Sequence, residues 1–260
     1  MDLQISGRKA LICGASQGIG LGCAQLLAQD GVNLVLVARN PTSLEDAARG
    51  LRAKYPIEVK TIASDLSRPE GRRAVLEHCP DPDILIHNGG WPEPSSDYRN
   101  WTRADWLAAI DLMFLSPVEL ITGVVDGMAE RRFGRIVAVT SRFVKEPRLE
   151  LALSVSPRLA LSGFMTAMAH KMAPYNVTLN SALPGIIATD TQLQHGRKLA
   201  AQAGKSFDEI WKERASTNSA RRFADPEEFA ALCVFLCSRR AGFLTGQHIL
   251  CDGAGYPGVF

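Results

Sequence analysis

The stretch Cys13-Gly14-Ala15-Ser16-Gln17-Gly18-Ile19-Gly20 follows an apolar run, Lys9-Ala10-Leu11-Ile12, and leads into the helical pattern Leu21-Gly22-Cys23-Ala24. Strand, glycine turn and helix in that order bring backbone to a point where it can meet a ligand. Glycine permits positive φ and close approach to a pyrophosphate, and the helix start offers unpaired N–H groups with a partial positive charge. A tight turn without a ligand would use the same glycines. The strand before and the helix after favour the nucleotide reading.

Working outward, apolar runs recur at 34–37, 83–87, 135–139 and 177–180, and each reads as a buried parallel strand. Between them lie segments of helical periodicity, at 19–29, 43–54 and 101–131. This alternation predicts right-handed βαβ units, hence an α/β chain with one Rossmann-type doubly wound parallel β-sheet and helices on both faces. A length of 260 residues with 46% apolar content suits a single domain over 1–260. The stretch 186–222 is the least strand-like, with Gly196 and Gly204 interrupting a polar, helix-prone sequence. It predicts a mobile lid over the substrate. Trp91-Pro92-Glu93-Pro94 reads as a loop.

The formal net charge is +2, with both signs interspersed and no basic block, so neither nucleic acid nor a lipid surface is an expected partner. The start, Met1-Asp2-Leu3-Gln4-Ile5-Ser6, has no secretion core, and no unbroken run nears the roughly 20 apolar residues of a membrane span. A soluble, cytoplasmic protein is expected. The six cysteines lie among apolar neighbours without paired CxxC clusters or nearby histidines, so they read as reduced core residues and no metal site is expected.

The glycine spacing resembles that of the short-chain dehydrogenase/reductase family, with Cys13 where the family usually has Thr. The resemblance continues through Ser64-Asp65-Leu66, His87-Asn88-Gly89-Gly90, Leu183-Pro184-Gly185-Ile186-Ile187-Ala188-Thr189, Phe235-Leu236-Cys237-Ser238 and Thr245-Gly246-Gln247 with Asp252-Gly253. It implies a nicotinamide dinucleotide held by Gly14, Ser16, Gln17, Gly18, Ile19 and Gly20. It also implies that Asp65 and Leu66 flank the adenine, and that Asn88 and Gly89 line the cleft. Pro184, Gly185, Ile187 and Thr189 would meet the nicotinamide carboxamide. Where an NAD-binding chain places an acid after the second strand, this one has Ala38-Arg39-Asn40. A guanidinium pairs with a 2′-phosphate that a carboxylate would repel, so Arg39 predicts NADP(H) over NAD(H). A solvated Arg beside a helix cap is the competing reading.

The family's chemistry uses a Ser that polarises the substrate oxygen, a Tyr that passes the proton, a Lys that lowers the Tyr pKa and holds the ribose, and an Asn on the preceding long helix. Ser141 matches the polarising Ser. Thirteen residues on stands Ser154, with Arg158 in the Lys position, and Gly163-Phe164 support the register. No other tyrosine restores the pair: Tyr55, Tyr98, Tyr175 and Tyr256 are followed four residues later by Val59, Thr102, Leu179 and Phe260. Counting from Trp106 puts Asp111 in the Asn position. Arg158 cannot cycle protons near neutrality, so its role is electrostatic, on the ribose, a carboxylate or a developing oxyanion. A substitute acid is sought among Asp111, Lys145, Glu146 and a water chain through Ser154. Ser156-Pro157 also fits a helix start, which would put Arg158 in the first turn.

Two functions follow. One is NADP(H)-dependent carbonyl/alcohol oxidoreduction of a small, possibly 3-oxoacyl-type, substrate through an atypical proton-transfer site. The other is a non-catalytic nucleotide-binding subunit or sensor, paired with a paralogue that retains Tyr and Lys. The resemblance implies a homodimer or homotetramer through the long helices from Trp101 and Pro157. Arg142, Arg148 and Arg197 would suit an anionic substrate, although isolated arginines ordinarily face solvent.

Overall fold

The computed structural model describes residues 1–90 and 97–259, so the Trp91-Pro92-Glu93-Pro94 loop lies outside the described residues. Seven strands form one parallel sheet: β1 (Lys9–Cys13), β2 (Asn33–Ala38), β3 (Val59–Ala63), β4 (Ile84–Asn88), β5 (Gly134–Val139), β6 (Val177–Pro184) and β7 (His248–Cys251). Their order is β3-β2-β1-β4-β5-β6-β7. The chain therefore winds outward from β1 in one direction, then returns and winds from β4 in the other. That reversal opens a crevice at the carboxyl ends of β1 and β4.

Side-chain alternation along the strands loads both faces. Ala10, Ile12, Ile84, Ile86, Val137 and Val139 point to a core shared with α1 (Gly18–Gln29), α2 (Pro41–Lys54) and α9 (Pro226–Cys237). Leu11, Cys13, Leu85, Ile136 and Ala138 point the other way, against α3 (Pro69–His78), α5 (Ser116–Glu130) and α6 (Ala152–Met172). The sheet is a doubly wound Rossmann-type α/β sandwich, as the alternation of runs predicts. Strands β3 and β7 carry no strong apolar run. β3 is a partly exposed edge with Lys60 and Thr61, and β7 is four residues long and only half-buried.

Two expectations need correction. First, α6 begins at Ala152, so Ser156 and Pro157 do not start it and Arg158 is not in its first turn. Pro157 sits inside the helix, where its missing N–H leaves the Leu153 carbonyl without a helical partner. Second, Gly196 does not interrupt a helix: it is buried within α7 (Asp190–Ala203), where an added Cβ would meet Phe207 at 3.0 Å and Trp211 at 3.3 Å. Gly204 does end α7, at φ +64°. The stretches Arg103–Glu130 and Leu149–Tyr175 are long and apolar enough on average to cross a membrane, although charged residues such as Asp111, Glu119 and Arg158 interrupt them. Leu120, Ile121, Val124, Leu161 and Met165 of these stretches are buried in the core against the sheet.

Candidate active site

The glycine turn after β1 is fastened to β2, with the Gly14 and Ala15 amides donating to the Val37 carbonyl at 2.8 and 3.2 Å. Gly14 has φ +69°, and a Cβ there would collide with the Asn88 carbonyl. A Cβ on Gly20 would likewise collide with the Gly14 carbonyl. The loop thus lies flat across the crevice. Gln17 occupies the N-cap of α1 without a side-chain cap, and the first turn holds no acid, so the helix N–H groups stay free for an anion. Ser16, Gly18 and Ile19 are half-buried around it. This cradle fits a dinucleotide pyrophosphate. Burial pushes the Cys13 thiol up to about 12, so beneath the turn it is an inert apolar filler.

The other expected cofactor positions converge on the same strand ends. Arg39 is exposed just past β2, and Asn40 caps α2 by accepting from the Thr42 and Ser43 amides at 2.9 and 3.1 Å. Burial would raise the Asp65 carboxyl, but hydrogen bonds from Ser67 and the charges of Arg39 and Arg68 outweigh it and hold it below the usual range. Leu66 accepts from Arg72 at 3.1 Å. Asn88 ends β4 beside Gly14, and Gly89 follows it. Beyond Pro184, Gly185 is tied to Cys251 at 3.0 Å and Ile187 bridges to Ala224. Thr189 packs on Gly18 and caps α7.

At the end of β5, the Ser141 hydroxyl oxygen accepts from the Phe143 amide at 3.2 Å. Ser154 and Arg158 stand one turn apart on α6 and are 1% and 6% exposed. Arg158 Nη1 donates to the Ser154 carbonyl at 3.1 Å and also to the Ser154 hydroxyl oxygen. That leaves the hydroxyl proton of Ser154 free to donate elsewhere. Burial pushes the Arg158 guanidinium down to about 10, which still leaves it charged at neutral pH.

Asp111 shows no hydrogen bond to Ser141 or Ser154 and is engaged elsewhere. Asp111 is 38% exposed and pairs with Arg72 at 3.7 Å, and Arg72 also grips Glu119 at 2.7 and 2.8 Å. A π turn, Asp111–Leu115, separates α4 (Arg103–Ile110) from α5, and Met113 is the residue of that turn packed with Leu153. Glu146 bonds Arg148 at 2.8 Å, and this bond chiefly holds its carboxyl low, so it is ionised near neutrality and is no acid. Lys145 is half-buried in the same loop.

One residue quoted only as part of a motif gains weight. His87 is buried, its Nε2 lies 3.1 Å from Ser116 Oγ, and burial, with Arg158 adding to it, pushes the imidazole down to about 4. Among the described residues, no group of His, Cys, Asp and Glu could hold a metal. The stretch 186–222 contains α7 and α8 (Phe207–Ala215). They enclose a stack of Phe207 on Trp211 at 5.2 Å and of Trp211 on Phe223 at 3.6 Å.

Fold and crevice define a dinucleotide-binding α/β oxidoreductase. A family model described as enoyl-(acyl carrier protein) reductase matches residues 14–256. The chain is 30% identical to the NADPH-dependent reductase BacG of Bacillus subtilis, over 98% of this chain and 100% of that one. It is 31% identical to the acetoacetyl-CoA reductase of Cupriavidus necator, over 96% and 99%. The L-sorbose reductase of Gluconobacter frateurii, solved with NADPH and L-sorbose, superposes with a TM-score of 0.94 at 31% identity, over the whole of both chains. The chain belongs to the short-chain dehydrogenase/reductase family, oxidoreductases that interconvert carbonyl and alcohol groups. The NADP(H) preference read from Arg39 agrees with the NADPH of both BacG and the sorbose reductase.

Proposed function

We propose that the chain reduces a small carbonyl compound, such as one of 3-oxoacyl type, with NADPH, using a serine–arginine pair where the family has tyrosine and lysine. The observation that carries this reading is the bond from Arg158 into the Ser154 hydroxyl. It turns the remaining O–H of Ser154 into a donor polarised by a buried cation. NADPH, when bound, supplies the hydride. Gly14, Ser16, Gln17, Gly18, Ile19 and Gly20 would hold its pyrophosphate, Arg39 its 2′-phosphate, and Asp65, Leu66, Asn88 and Gly89 its adenosine half. Pro184, Gly185, Ile187 and Thr189 would face the nicotinamide. Ser141 polarises the substrate oxygen, Ser154 donates to it through its hydroxyl and a water chain, and Arg158 stabilises the negative charge that develops. Replacing a phenol by an alcohol costs about 10²- to 10⁴-fold in proton transfer, or roughly 3–5.5 kcal/mol.

The segment 186–222 is the lid of this site, closing as a unit around its aromatic stack. The rest of 1–260 forms the one nucleotide-binding domain, and copies associate as a dimer or tetramer through the stretches Arg103–Glu130 and Leu149–Tyr175. NADPH oxidation against a panel of small ketones and 3-oxoacyl thioesters tests the reading. Turnover is expected in the unaltered protein, and Ser154→Tyr with Arg158→Lys changes its rate and pH profile. NADPH binding without turnover, with activity appearing only in the double variant, would overturn it in favour of a nucleotide-binding subunit or sensor.

A further inference from the structure

The residue after Ser141 is an arginine whose placement a purely structural role does not explain. Arg142 is 7% exposed, in a 3-10 turn (Arg142–Val144) at the end of β5. Its guanidinium lies over the Phe143 ring at 4.8 Å, yet no hydrogen bond or ion pair joins it to any described residue. The side chain is largely covered, yet its nitrogens are not among the sealed, unpaired polar atoms, so the donor fork keeps an opening through which an anion can reach it. The other buried arginines show the contrast. Arg72 has Glu119, and Arg135 bonds the carbonyls of Gly134, Asn176 and Ser238.

The surroundings of Arg142 belong to the reaction end of the sheet. Its Nη1 rests on the backbone of Gly255, where a Cβ would collide with it. Asn218, at the base of the 186–222 segment, packs on the same tail: its Cβ lies 3.4 Å from the position of a Gly255 Cβ, and its Oδ1 3.2 Å from that of a Gly253 Cβ. The Asn218 amide orientation is set by Nδ2 donating to the Arg222 carbonyl at 2.9 Å. Its Oδ1 is then a buried acceptor with no partner. A cation without a hydrogen bond and an acceptor without a donor thus meet at the Gly253–Gly255 tail, and Arg142 follows Ser141 directly in the chain. Glu146, whose ionisation Arg142 favours, gives Oε1 to Arg148 and keeps a buried Oε2 without a hydrogen bond, so it is a nearby counter-charge that is not bonded to Arg142. Loop 142–148 also carries Lys145, so its charge stays positive overall.

We infer that Arg142 clamps a carboxylate of the substrate, with Asn218 Oδ1 accepting from a neighbouring hydroxyl or amide of the same molecule. One buried guanidinium neutralises one carboxylate in a planar bidentate pair, whereas a phosphate dianion would leave a buried negative charge. The inference narrows the substrate class of the proposed reductase to oxo acids, and it rests on that reading for Ser141 as the carbonyl contact.

The test compares acetoacetate with acetoacetamide, matched in size and differing in charge, in the unaltered protein, Arg142→Gln and Arg142→Lys. The kcat/KM ratio of acid to amide should exceed one, fall by about 10²-fold in Arg142→Gln and be partly restored in Arg142→Lys. Calorimetric titration of acetoacetate into the protein, with and without NADPH, reads the clamp independently of turnover. A ratio near one, a ratio that survives Arg142→Gln, or carboxylate uptake that Arg142→Gln leaves unchanged overturns the clamp. Turnover of neutral ketones under any of those outcomes leaves the reductase reading standing. Loss of NADPH binding and turnover in the unaltered protein would overturn that reading instead, with the carboxylate titration still deciding for or against Arg142.

Discussion

Arg158 and His87 are buried bases whose pKa values burial lowers alike, yet they hold opposite charge states at neutral pH, the guanidinium still protonated at about 10 and the imidazole neutral down to about 4. His87 therefore links stability to pH. Its folded pKa lies below the ordinary 6.5, so the unfolded chain takes up the proton first. Stability is complete above about pH 6.5 and falls as pH drops toward 4, by ~3 kcal/mol at most from this group. Denaturant midpoints measured across that window should slope with pH, and His87→Asn should flatten the slope. A slope that survives the substitution would assign the effect elsewhere. At this scale much of the candidate site was legible, because the spacing of the family that the chain resembles marks Ser141, Ser154 and Arg158, and the structure sets the last two one helical turn apart. Asp111 has a setting that its position in the sequence does not show, an ion pair with Arg72. The family's spacing from Trp106 marks the position but not the π turn at Asp111–Leu115, which has no signature in residue type. Arg142 was visible as a charge, but its burial depends on the tail at Gly255, which no local pattern connects to it.

Elements with a strong apolar period were legible to within a few residues, as β1, α1 and β5 illustrate. β3 and β7 were not, since an edge strand buries too little to demand an apolar run. Pro157 misdirected the start of α6, because proline is tolerated near a helix beginning whether or not it is the first residue. Gly196 misdirected the reading of the 186–222 segment for a related reason. A glycine can mark a break or a close crossing, and here α7 and α8 approach through it. Gly196→Val should overpack this crossing and destabilise the protein by about 1–3 kcal/mol. As the segment is the proposed lid, KM for the carbonyl substrate should rise while NADPH affinity is unchanged. Unaltered substrate kinetics in a variant with a lowered midpoint would separate the segment from the site.

For the molecule as a whole, the two long apolar helical stretches present a sheet-facing side and an outer side. Leu107 and Leu159 stand on them at 43% and 40% exposure. In the dimer or tetramer proposed through these stretches, both leucines would be covered. Light scattering should report a dimer or tetramer, and Leu107→Glu with Leu159→Glu should shift it to monomer. A monomeric unaltered protein would remove this interface.

The strand order has a last consequence, for the growing polypeptide on the ribosome. Ala10 of β1 pairs with Leu34 on one side and with Ile84 on the other. Translation at about 5–20 residues per second separates the synthesis of Ala10 and Ile84 by roughly 4–15 s. During that interval β1 can be covered along one edge only, and Gly14 has no Asn88 to lie against. The nascent chain thus carries an open, strongly apolar strand edge, the kind of surface that holdase chaperones shield, and it cannot form its nucleotide crevice until β4 has emerged.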